Sequence, residues 1–346
     1  MKKLYILVIL AFLTSLGFSQ RKEYYFSVVE KDKNIINTFI TQAVSIDKVE
    51  GETVYCYANP KQFEKFKTLG YQINELPHPS SLSKVSMATT VAQMANWNLY
   101  PTYSVYRQMM KNFEINYPGL CKLDSIGTSV EGRKLYMLKI SDNIATTENE
   151  PEVFYTGTIH GDETTGFVLL LRLADYLLSN YGTNTRITNM VNNMVIYINP
   201  ASNPDGTYNP SDNDINSATR SNANGVDMNR NYPDPRVGQH PDGEAWQPET
   251  QAFMAFAGQH HFVMSANFHG GIELANYPWD AWTSAQNPHA DNDWWDAISR
   301  NYADSCHAFG PSGYFTGENN GVTHGGDWYV VAGGRQDYMN YWHHCR

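Results

Sequence analysis

The sequence predicts an α/β protein built around a mostly parallel sheet with helices on its faces. Three apolar runs of the buried-strand type, at 153–159, 194–198 and 262–268, alternate with two segments of helical periodicity. Strands that are apolar on both faces and are joined by helices are typical of parallel sheets with helical cover. Functional groups in such sheets collect at the carboxyl ends of the strands, so a site is expected there.

A small α/β unit precedes this sheet. Residues 24–29 and 53–58 are predicted as strands, 60–69 as a short helix, and 33–41 as either a helix or a strand. This unit ends near the Pro-His-Pro-Ser run at 77–80.

A linker and a larger unit follow. Residues 80–95 are rich in Ser, Thr and Ala and show little periodicity, which is typical of a linker. The larger unit carries the long leucine-rich helix predicted at 165–179 and a second helix at 249–260. The predicted domains are therefore 20–79 and 96–346, joined by 80–95.

The N-terminus has the three parts of a secretory signal. Two lysines precede a short apolar run from Leu4 to Leu13, and small residues follow it up to Ser19. We expect residues 1–19 to be removed as a signal peptide and the rest to be secreted or otherwise extracytoplasmic. The apolar run is too short to span a bilayer, and no membrane association is expected after its removal.

The charge balance indicates the kind of partner. The chain has 25 Lys and Arg against 35 Asp and Glu, a formal net charge of -10. Because this charge repels phosphate backbones and anionic lipids, no nucleic acid is expected as a partner. A cationic or peptidic partner suits the charge better, and the oligomeric state is left open.

A candidate metal site lies at two predicted strand ends. His160 and Glu163 follow the first buried strand, and His269 follows the strand 262–268. Two His and one Glu, with a fourth position for water, form the ligand pattern of a catalytic zinc site. His-x-x-Glu alone is a weak signal, and His269 alone could equally be a hydrogen-bonded polar group at a sheet edge.

Two further residues between these ligands are candidates. Asp205 lies in a Pro-Asp-Gly turn and could accept the free N–H of a metal-bound imidazole. Arg220 begins a polar segment that makes a poor helix or strand, and arginine forks bind carboxylates and stabilise oxyanions. An ordinary turn and a solvated loop are the alternatives for the two positions.

With these residues, the sequence resembles the zinc metallocarboxypeptidases of the carboxypeptidase N/E (regulatory) type. The matching blocks occur in family order between about 97 and 346: 160–163 (HGDE), 203–206 (NPDG), 222–233 (NANGVDMNRNYP), 248–250 (PET), 265–271 (SANFHGG), 275–280 (ANYPWD), 321–329 (GVTHGGDWY) and 333–341 (GGRQDYMNY). The resemblance implies the family's mixed, twisted sheet and a secreted hydrolase that removes C-terminal residues from peptides or proteins with one Zn²⁺ ion.

The resemblance also implies a role for each matched residue. It makes His160, Glu163 and His269 the zinc ligands and Arg220 the oxyanion stabiliser. Asn229 and Arg230 would bind the terminal carboxylate of the substrate, and Tyr329 would be a mobile phenol that closes over it. Asp280 matches the carboxylate by which basic-specific members select C-terminal Lys or Arg.

Two departures from the family pattern stand out. Asp162 replaces the usual Asn, a near-isostere expected to matter little. The family's general base is a glutamate six residues beyond the cysteine that Cys345 matches, a position past Arg346. We therefore expect the catalytic domain as given to lack its last strand and to bind zinc but hydrolyse poorly.

Two alternatives to a basic-specific peptidase remain open. One is a catalytically inactive module that binds peptide C-termini, and the other is a carboxypeptidase for cell-wall peptides or glutamyl side chains. The leading unit is interpreted as a pro-domain that covers the active site, although an α/β unit joined by a linker could also be an ordinary domain.

Overall fold

The computed structural model describes residues 22–239 and 241–346. The predicted signal peptide at 1–19 lies outside the described residues. Two sheets organise the chain, a four-stranded sheet in the leading domain and a five-stranded sheet in the larger one.

The leading domain is a small antiparallel sheet with helices packed on it. Its strand order is β2-β3-β1-β4, and every pairing is antiparallel. The strands are β1 (Tyr24–Val29), β2 (Ser45–Glu50), β3 (Thr53–Ala58) and β4 (Asn74–Leu76). Its helices are α1 (Lys33–Ile35), α2 (Thr41–Ala43) and α3 (Pro60–Lys67), with a π-helical segment at Ile36–Ile40 between α1 and α2.

Local sequence determines most of this domain. Asn59 caps α3 by accepting from the Gln62 N–H, and the Gln62 side chain bonds back to Asn59. The strands predicted at 24–29 and 53–58 and the helix near 60–69 are confirmed, and 33–41 is helical. β2 and β4 were not anticipated, because their short polar segments carry no alternating pattern.

The linker region contains short ordered elements. β5 (Met87–Ala88) pairs in parallel with β6 (Tyr100–Pro101), and 3₁₀ turns lie at Pro79–Ser81 and Val91–Asn96. Residues 81–84 are exposed throughout.

The larger domain is built on a five-stranded mixed sheet. Its strands are β7 (Cys121–Thr128), β8 (Lys134–Ile140), β9 (Glu152–Gly157), β10 (Val195–Asn199) and β11 (Phe262–Phe268). The strand order is β11-β9-β10-β8-β7, in which β11, β9 and β10 run parallel and β8 and β7 pair antiparallel. Two of the four strand pairings are therefore parallel, whereas the sequence predicted a mostly parallel sheet. The difference arises because the β7–β8 hairpin, which adds the antiparallel pairings, was not recognised in the sequence.

Helices cover both faces of this sheet. The helices of eight or more residues are α4 (Tyr103–Asn116), α5 (Thr165–Asn180), α8 (Pro248–Ala257), α9 (Asn292–Phe309) and α12 (Arg335–His343). The shorter ones are α6 (Thr185–Val191), α7 (Pro204–Thr207), α10 (Gly317–Gly321) and α11 (Gly325–Trp328), with a 3₁₀ turn at Met228–Arg230. A small parallel pair, β12 (Ala275–Tyr277) and β13 (Val322–His324), lies outside the main sheet.

The apolar core lies on the two faces of the main sheet. One cluster packs α4 and α5 on one face, and a second packs α8 and α12 on the other. The predicted strand at 262–268 and the helices near 165–179 and 249–260 are confirmed, with ends shifted by one to three residues. Because β9, β10 and β11 are parallel, their carboxyl ends lie together at one edge of the sheet.

Two other features concern the cysteines and the possibility of a membrane span. All four cysteines are free thiols. No helix of the described ranges 22–239 and 241–346 is both long and apolar enough to cross a membrane.

Candidate active site

Three of the predicted ligands converge at the carboxyl edge of the sheet. His160 and Glu163 lie in the loop between β9 and α5, and His269 follows β11 directly. The Nδ1 atoms of the two imidazoles are 3.1 Å apart, and the Glu163 oxygens lie 2.9 Å from His160 Nδ1 and 2.7 Å from His269 Nδ1. Three potential ligand atoms therefore face one point, the arrangement that a single metal ion requires.

The chemistry of this trio fits Zn²⁺. Burial opposes ionisation of Glu163, but the charges and hydrogen bonds of His160 and His269 hold its pKa well below its usual value. Burial lowers the pKa of His269, which favours the neutral imidazole that a metal needs. Two ring nitrogens pointing at each other beside a carboxylate are compatible with an intervening cation.

Asp227 orients His160. The Asp227 Oδ1 atom lies 2.9 Å from His160 Nε2, the ring nitrogen opposite the metal-facing one. This is the outer-shell role that the sequence analysis gave to Asp205, and that prediction is wrong. Asp205 instead accepts from Ser129 Oγ, the Glu131 N–H and Arg133, because the turn after β10 aims its carboxylate toward the β7–β8 hairpin.

Arg220 lies within hydrogen-bond reach of the metal trio. Its Nη1 donates to Glu163 Oε1 at 3.0 Å, and its Nε donates to Asp227 Oδ2 at 3.0 Å. The side chain is buried, and its guanidinium lies over the Tyr57 ring of the leading domain. A buried cation held by two carboxylates is well placed to stabilise negative charge that develops beside the trio.

Arg230 presents free donors to the same cleft. Its Nε and Nη2 are buried without a hydrogen-bond partner in the described part of the chain, whereas Nη1 donates to the Asn229 carbonyl. Arg230 and Asn229 line a cleft of about 530 Å³ that also contains the metal trio. Since buried arginine donors without a partner are costly, this pair fits a carboxylate from outside the protein.

Asp280 lines the same cleft. It is 5% exposed, and its Oδ1 accepts from Gln336 Nε2 at 3.0 Å and Asn276 Nδ2 at 3.2 Å. A Cβ at Gly325 would collide with Oδ1, so the carboxylate needs a glycine at this position. Burial raises the Asp280 pKa to about 7, although the Arg230 charge opposes the shift.

Tyr329 faces the cleft but is held by the leading domain. Its ring is 8% exposed and packs in the leading domain's apolar cluster, and its hydroxyl donates to the Ile46 carbonyl at 3.4 Å. The next residue, Val330, donates its N–H to Asn37 Oδ1 at 2.9 Å. The segment that carries Tyr329 is therefore attached to the leading domain on both sides of the α2–β2 connection.

The leading domain also contacts the backbone of Arg220. The Glu23 carboxylate accepts from the Arg220 N–H at 2.8 Å, the Ser221 N–H at 3.0 Å and Ser221 Oγ at 2.6 Å. His78 Nε2 lies 3.0 Å from the same carboxylate. Although burial opposes ionisation, these hydrogen bonds and the His78 charge hold the Glu23 pKa below its usual value.

Asp162, the departure from the family's Asn, lies at this interface. Its Oδ2 accepts from the Tyr57 hydroxyl of the leading domain at 2.9 Å. Burial and the charges of Glu163 and Glu23 raise the Asp162 pKa to about 7. The departure thus has a partner in a domain that the family motifs do not cover.

The zinc carboxypeptidase family model matches residues 106–346. This chain belongs to the zinc carboxypeptidase family. The family is a hydrolase family that uses one zinc ion, for which the trio His160, Glu163 and His269 has the required donors.

Curated relatives support the same assignment. Human carboxypeptidase D is 39% identical over 245 residues, which is 66% of this chain and 17% of that protein. The catalytic chain of human carboxypeptidase N is 35% identical over 259 residues, or 65% of this chain and 56% of that protein. The chain therefore spans little more than half the length of the second relative and much less of the first.

Solved structures share the fold. The crystal structure of thrombin activatable fibrinolysis inhibitor has a TM-score of 0.66 at 16% identity and covers 94% of this chain and 88% of its own. Carboxypeptidase A from Helicoverpa armigera also has a TM-score of 0.66 at 16% identity, covering 93% and 86%. Because residues 96–346 cannot account for such coverage alone, the likeness of fold extends into the leading domain.

Sequence reasoning missed several residues that line or hold this site. Asp227 lies inside a recognised motif, two residues before Asn229, and its position there could have suggested a role. Glu23, Asp47 and Tyr57 carry no motif at all. Asp47 lines the cleft, accepts from the Tyr25 hydroxyl, and has a pKa raised by burial against the opposing charge of Arg220.

Proposed function

We propose that the protein is a secreted zinc metallocarboxypeptidase that removes C-terminal Lys or Arg from peptides. The observation that carries this proposal is Arg230. Its two unpartnered buried donors lie in one cleft with the metal trio and the buried carboxylate of Asp280. A donor pair for a terminal carboxylate, a metal site and a selector for a cationic side chain are the three parts that such an activity needs.

The residues divide the work as follows. Arg230 and Asn229 bind the terminal carboxylate and so restrict cleavage to the last residue. Asp280 receives the cationic side chain, and Arg220 stabilises the oxygen of the scissile carbonyl as charge develops. His160, Glu163 and His269 would hold Zn²⁺, which when bound would supply a Lewis acid and lower the pKa of a water. Asp227 keeps His160 in the tautomer that leaves Nδ1 free for the metal.

The general base is expected on a strand paired with β11. β11 forms the edge of the sheet, and the Arg346 N–H donates to the Val263 carbonyl at 3.1 Å while the Arg346 carbonyl accepts from the Ser265 N–H. This is the pattern of a parallel pair with Arg346 opposite Met264. In a strand that continued in this register, the residue five positions further along would lie beside His269 with its side chain on the same face.

That position is also the one where the family carries its glutamate, six residues past Cys345. We therefore propose that a strand in this register completes the active site. The family spacing and the strand register independently predict the same position, beside His269. A glutamate one residue earlier or later would project from the opposite face of the sheet.

We further propose that the leading domain is an inhibitory pro-domain. Glu23 and Tyr57 contact the Arg220 and Asp162 regions, Asp47 enters the cleft, and the Tyr329 segment is bonded to the leading domain. These contacts occupy space that a substrate terminus would use. The exposed residues 81–84 offer a place where proteolysis would release the domain.

We also propose that the protein is exported. The basic, apolar and small-residue segments at 1–19 favour secretion, which suits a hydrolase of peptide termini. Export is tested by N-terminal sequencing of the protein recovered outside the cytoplasm. The proposal expects its first residue to be Gln20.

The second candidate function is a module that binds peptide C-termini without cleaving them. It is favoured by the two unpartnered donors of Arg230, which would bind a terminal carboxylate whether or not cleavage follows. Both functions predict zinc and peptide binding, and only the enzyme predicts turnover.

One experiment separates the two. Residues 20–346 and a version extended through the following strand of the reading frame are first cleaved within 81–84 to release the leading domain, and both are then assayed with a dansylated peptide ending in Arg, with and without a chelator. The proposal expects turnover by the extended protein, its loss on chelation, and its loss when Gln replaces the glutamate beside His269. A zinc-loaded extended protein that binds the peptide but never cleaves it would establish the binding module instead.

A further inference from the structure

Asp337 is a buried carboxylate that no metal, substrate or oxyanion role uses. It lies in the first turn of α12 and is 1% exposed. Its Oδ1 accepts from the Asp280 N–H at 2.8 Å, and its Oδ2 accepts from the Ala281 N–H at 2.7 Å. One side chain therefore uses both of its oxygens to hold two consecutive backbone amides.

The remaining backbone groups of this dipeptide are also bonded. The Asp280 carbonyl accepts from the Val331 N–H at 2.9 Å, and the Ala281 carbonyl accepts from Arg236 Nη1 at 2.8 Å. All four backbone groups of Asp280 and Ala281 are thus fixed, and Asp337 supplies half of the contacts. Because a side chain follows its backbone, this frame sets the direction of the Asp280 carboxylate in the cleft.

Asp337 also places a second carboxyl next to Asp280. Burial, and then the charge of Asp280, raise the pKa of Asp337 well above its usual value. Coulombic repulsion is mutual, so ionised Asp337 opposes ionisation of Asp280 in turn. The two carboxyls titrate as a pair, in surroundings that also contain Arg230, Tyr329 and Asp234.

A buried pair of this kind favours a cationic occupant. Within the described residues, neither Asp280 nor Asp337 forms an ion pair with a basic side chain at salt-bridge distance. A lysine or arginine side chain that enters the cleft would bring the missing positive charge next to Asp280. The pair would then lose a proton more readily, which couples substrate binding to ionisation.

We propose that Asp337 is a positioning residue for basic specificity: it fixes the Asp280–Ala281 backbone so that the Asp280 carboxylate is aimed at the cationic end of a C-terminal Lys or Arg. This inference rests on the proposed function, in which Asp280 is the selector. It adds a residue that never touches the substrate but governs how well the selector works.

The test uses Asp337→Asn in the strand-extended protein after cleavage within 81–84. An asparagine can accept from only one of the two amides and turns an N–H toward the other. We expect KM for a dansylated peptide ending in Arg to rise about 10-fold, with kcat changed by less than about twofold. KM for the same peptide ending in Leu should stay unchanged.

The pH profile shows whether Asp337 acts through the backbone or through its charge. Binding of the Arg peptide needs ionised Asp280, so 1/KM should rise with pH near 7, the Asp280 pKa. Asp337 has the higher pKa of the two and carries no charge while Asp280 ionises, so Asp337→Asn should raise KM across the pH range and leave the position of this rise unchanged.

Two controls make the outcomes separable. Glu152→Gln alters a carboxylate that likewise accepts a backbone N–H, that of His261, at the opposite end of β9, and should leave the Arg-to-Leu preference intact. Asp280→Asn should abolish that preference; if it does not, the proposed specificity fails, whatever Asp337 does.

The remaining outcomes concern Asp337 alone. The inference is overturned if Asp280→Asn removes the preference but Asp337→Asn leaves KM for the Arg peptide unchanged. It is also overturned if Asp337→Asn does not fold with bound zinc, because Asp337 would then be required for the fold itself.

Discussion

Replacing Glu23 by Gln should weaken the attachment of the leading domain to the active site. The Glu23 side chain is 5% exposed and accepts from two backbone amides, one hydroxyl and His78. A glutamine keeps one oxygen for Ser221 but turns its amide toward the Arg220 N–H, which is then buried without an acceptor.

The magnitude follows from these contacts. An unsatisfied buried donor costs about 1–3 kcal/mol, and the loss of the charge on the acceptor adds to this cost. A total of about 2 kcal/mol corresponds to roughly a 30-fold larger population of undocked leading domain, at about 1.4 kcal/mol per tenfold.

Two assays measure the effect on uncleaved protein. The first is hydrolysis of the Arg peptide by the strand-extended form, which should increase by up to about 30-fold and be limited by the rate of the cleaved protein. The second is hydrogen exchange of the Arg220 and Ser221 amides, which should accelerate by a similar factor and needs no activity. Glu64→Gln, an exposed carboxylate of the same domain paired with Lys67, is the control and should change neither.

Acid should release the domain in the same way. The pKa of Glu23 in the docked state lies below its usual value. Its contribution to the stability of docking is therefore complete above the usual pKa and is lost as the pH falls through the lowered pKa. The contribution of His78 to docking depends on pH in the opposite direction. Because its pKa is raised, this contribution is present at low pH and is lost as the pH rises through the raised pKa. Unchanged amide exchange and unchanged basal activity in Glu23→Gln would refute the role of this contact.

Three further predictions concern the catalytic domain. His269→Ala should lower zinc affinity by at least about 100-fold, measured as metal retained after dialysis, and zinc retention equal to the wild type would exclude this ligand. Arg230→Ala should raise KM for peptides with a free C-terminus by about 100-fold and leave binding of C-terminally amidated peptides unchanged; an equal loss for both would show that Arg230 does not hold the carboxylate. Gly325→Ala should displace the Asp280 carboxylate and reduce the Arg-to-Leu preference by about 10-fold in parallel kinetic assays, whereas Gly119→Ala, at a glycine with open space around it, should not affect the preference.

Much of the catalytic domain was predictable because its information is local. The leucine-rich helix defines its own structure because it buries a continuous apolar surface, whereas the strand 262–268 is recognisable from its apolar run although only Phe262 is fully buried. His160 and His269 follow strands that run parallel, and the rule that the carboxyl ends of such strands meet at one edge was enough to bring them together.

Other features depended on contacts between distant segments. The β7–β8 hairpin makes the sheet mixed, yet its strands alternate too weakly to be recognised alone. Asp205 and Asp227 are both acidic residues in turn-rich segments, and only the direction of each backbone decides which one meets His160.

The sequence by itself determined the family, and it predicted the metal trio and the order of the domains, because these depend on residue types at fixed spacings. Only the tertiary structure decided what the leading domain covers, how Glu23 and Tyr57 meet Arg220 and Asp162, and that Asp337 frames Asp280. These contacts join segments up to about 200 residues apart, and no local pattern encodes them. They arise when two packed domains bury complementary polar groups, so that each group needs a partner that the chain brings from elsewhere.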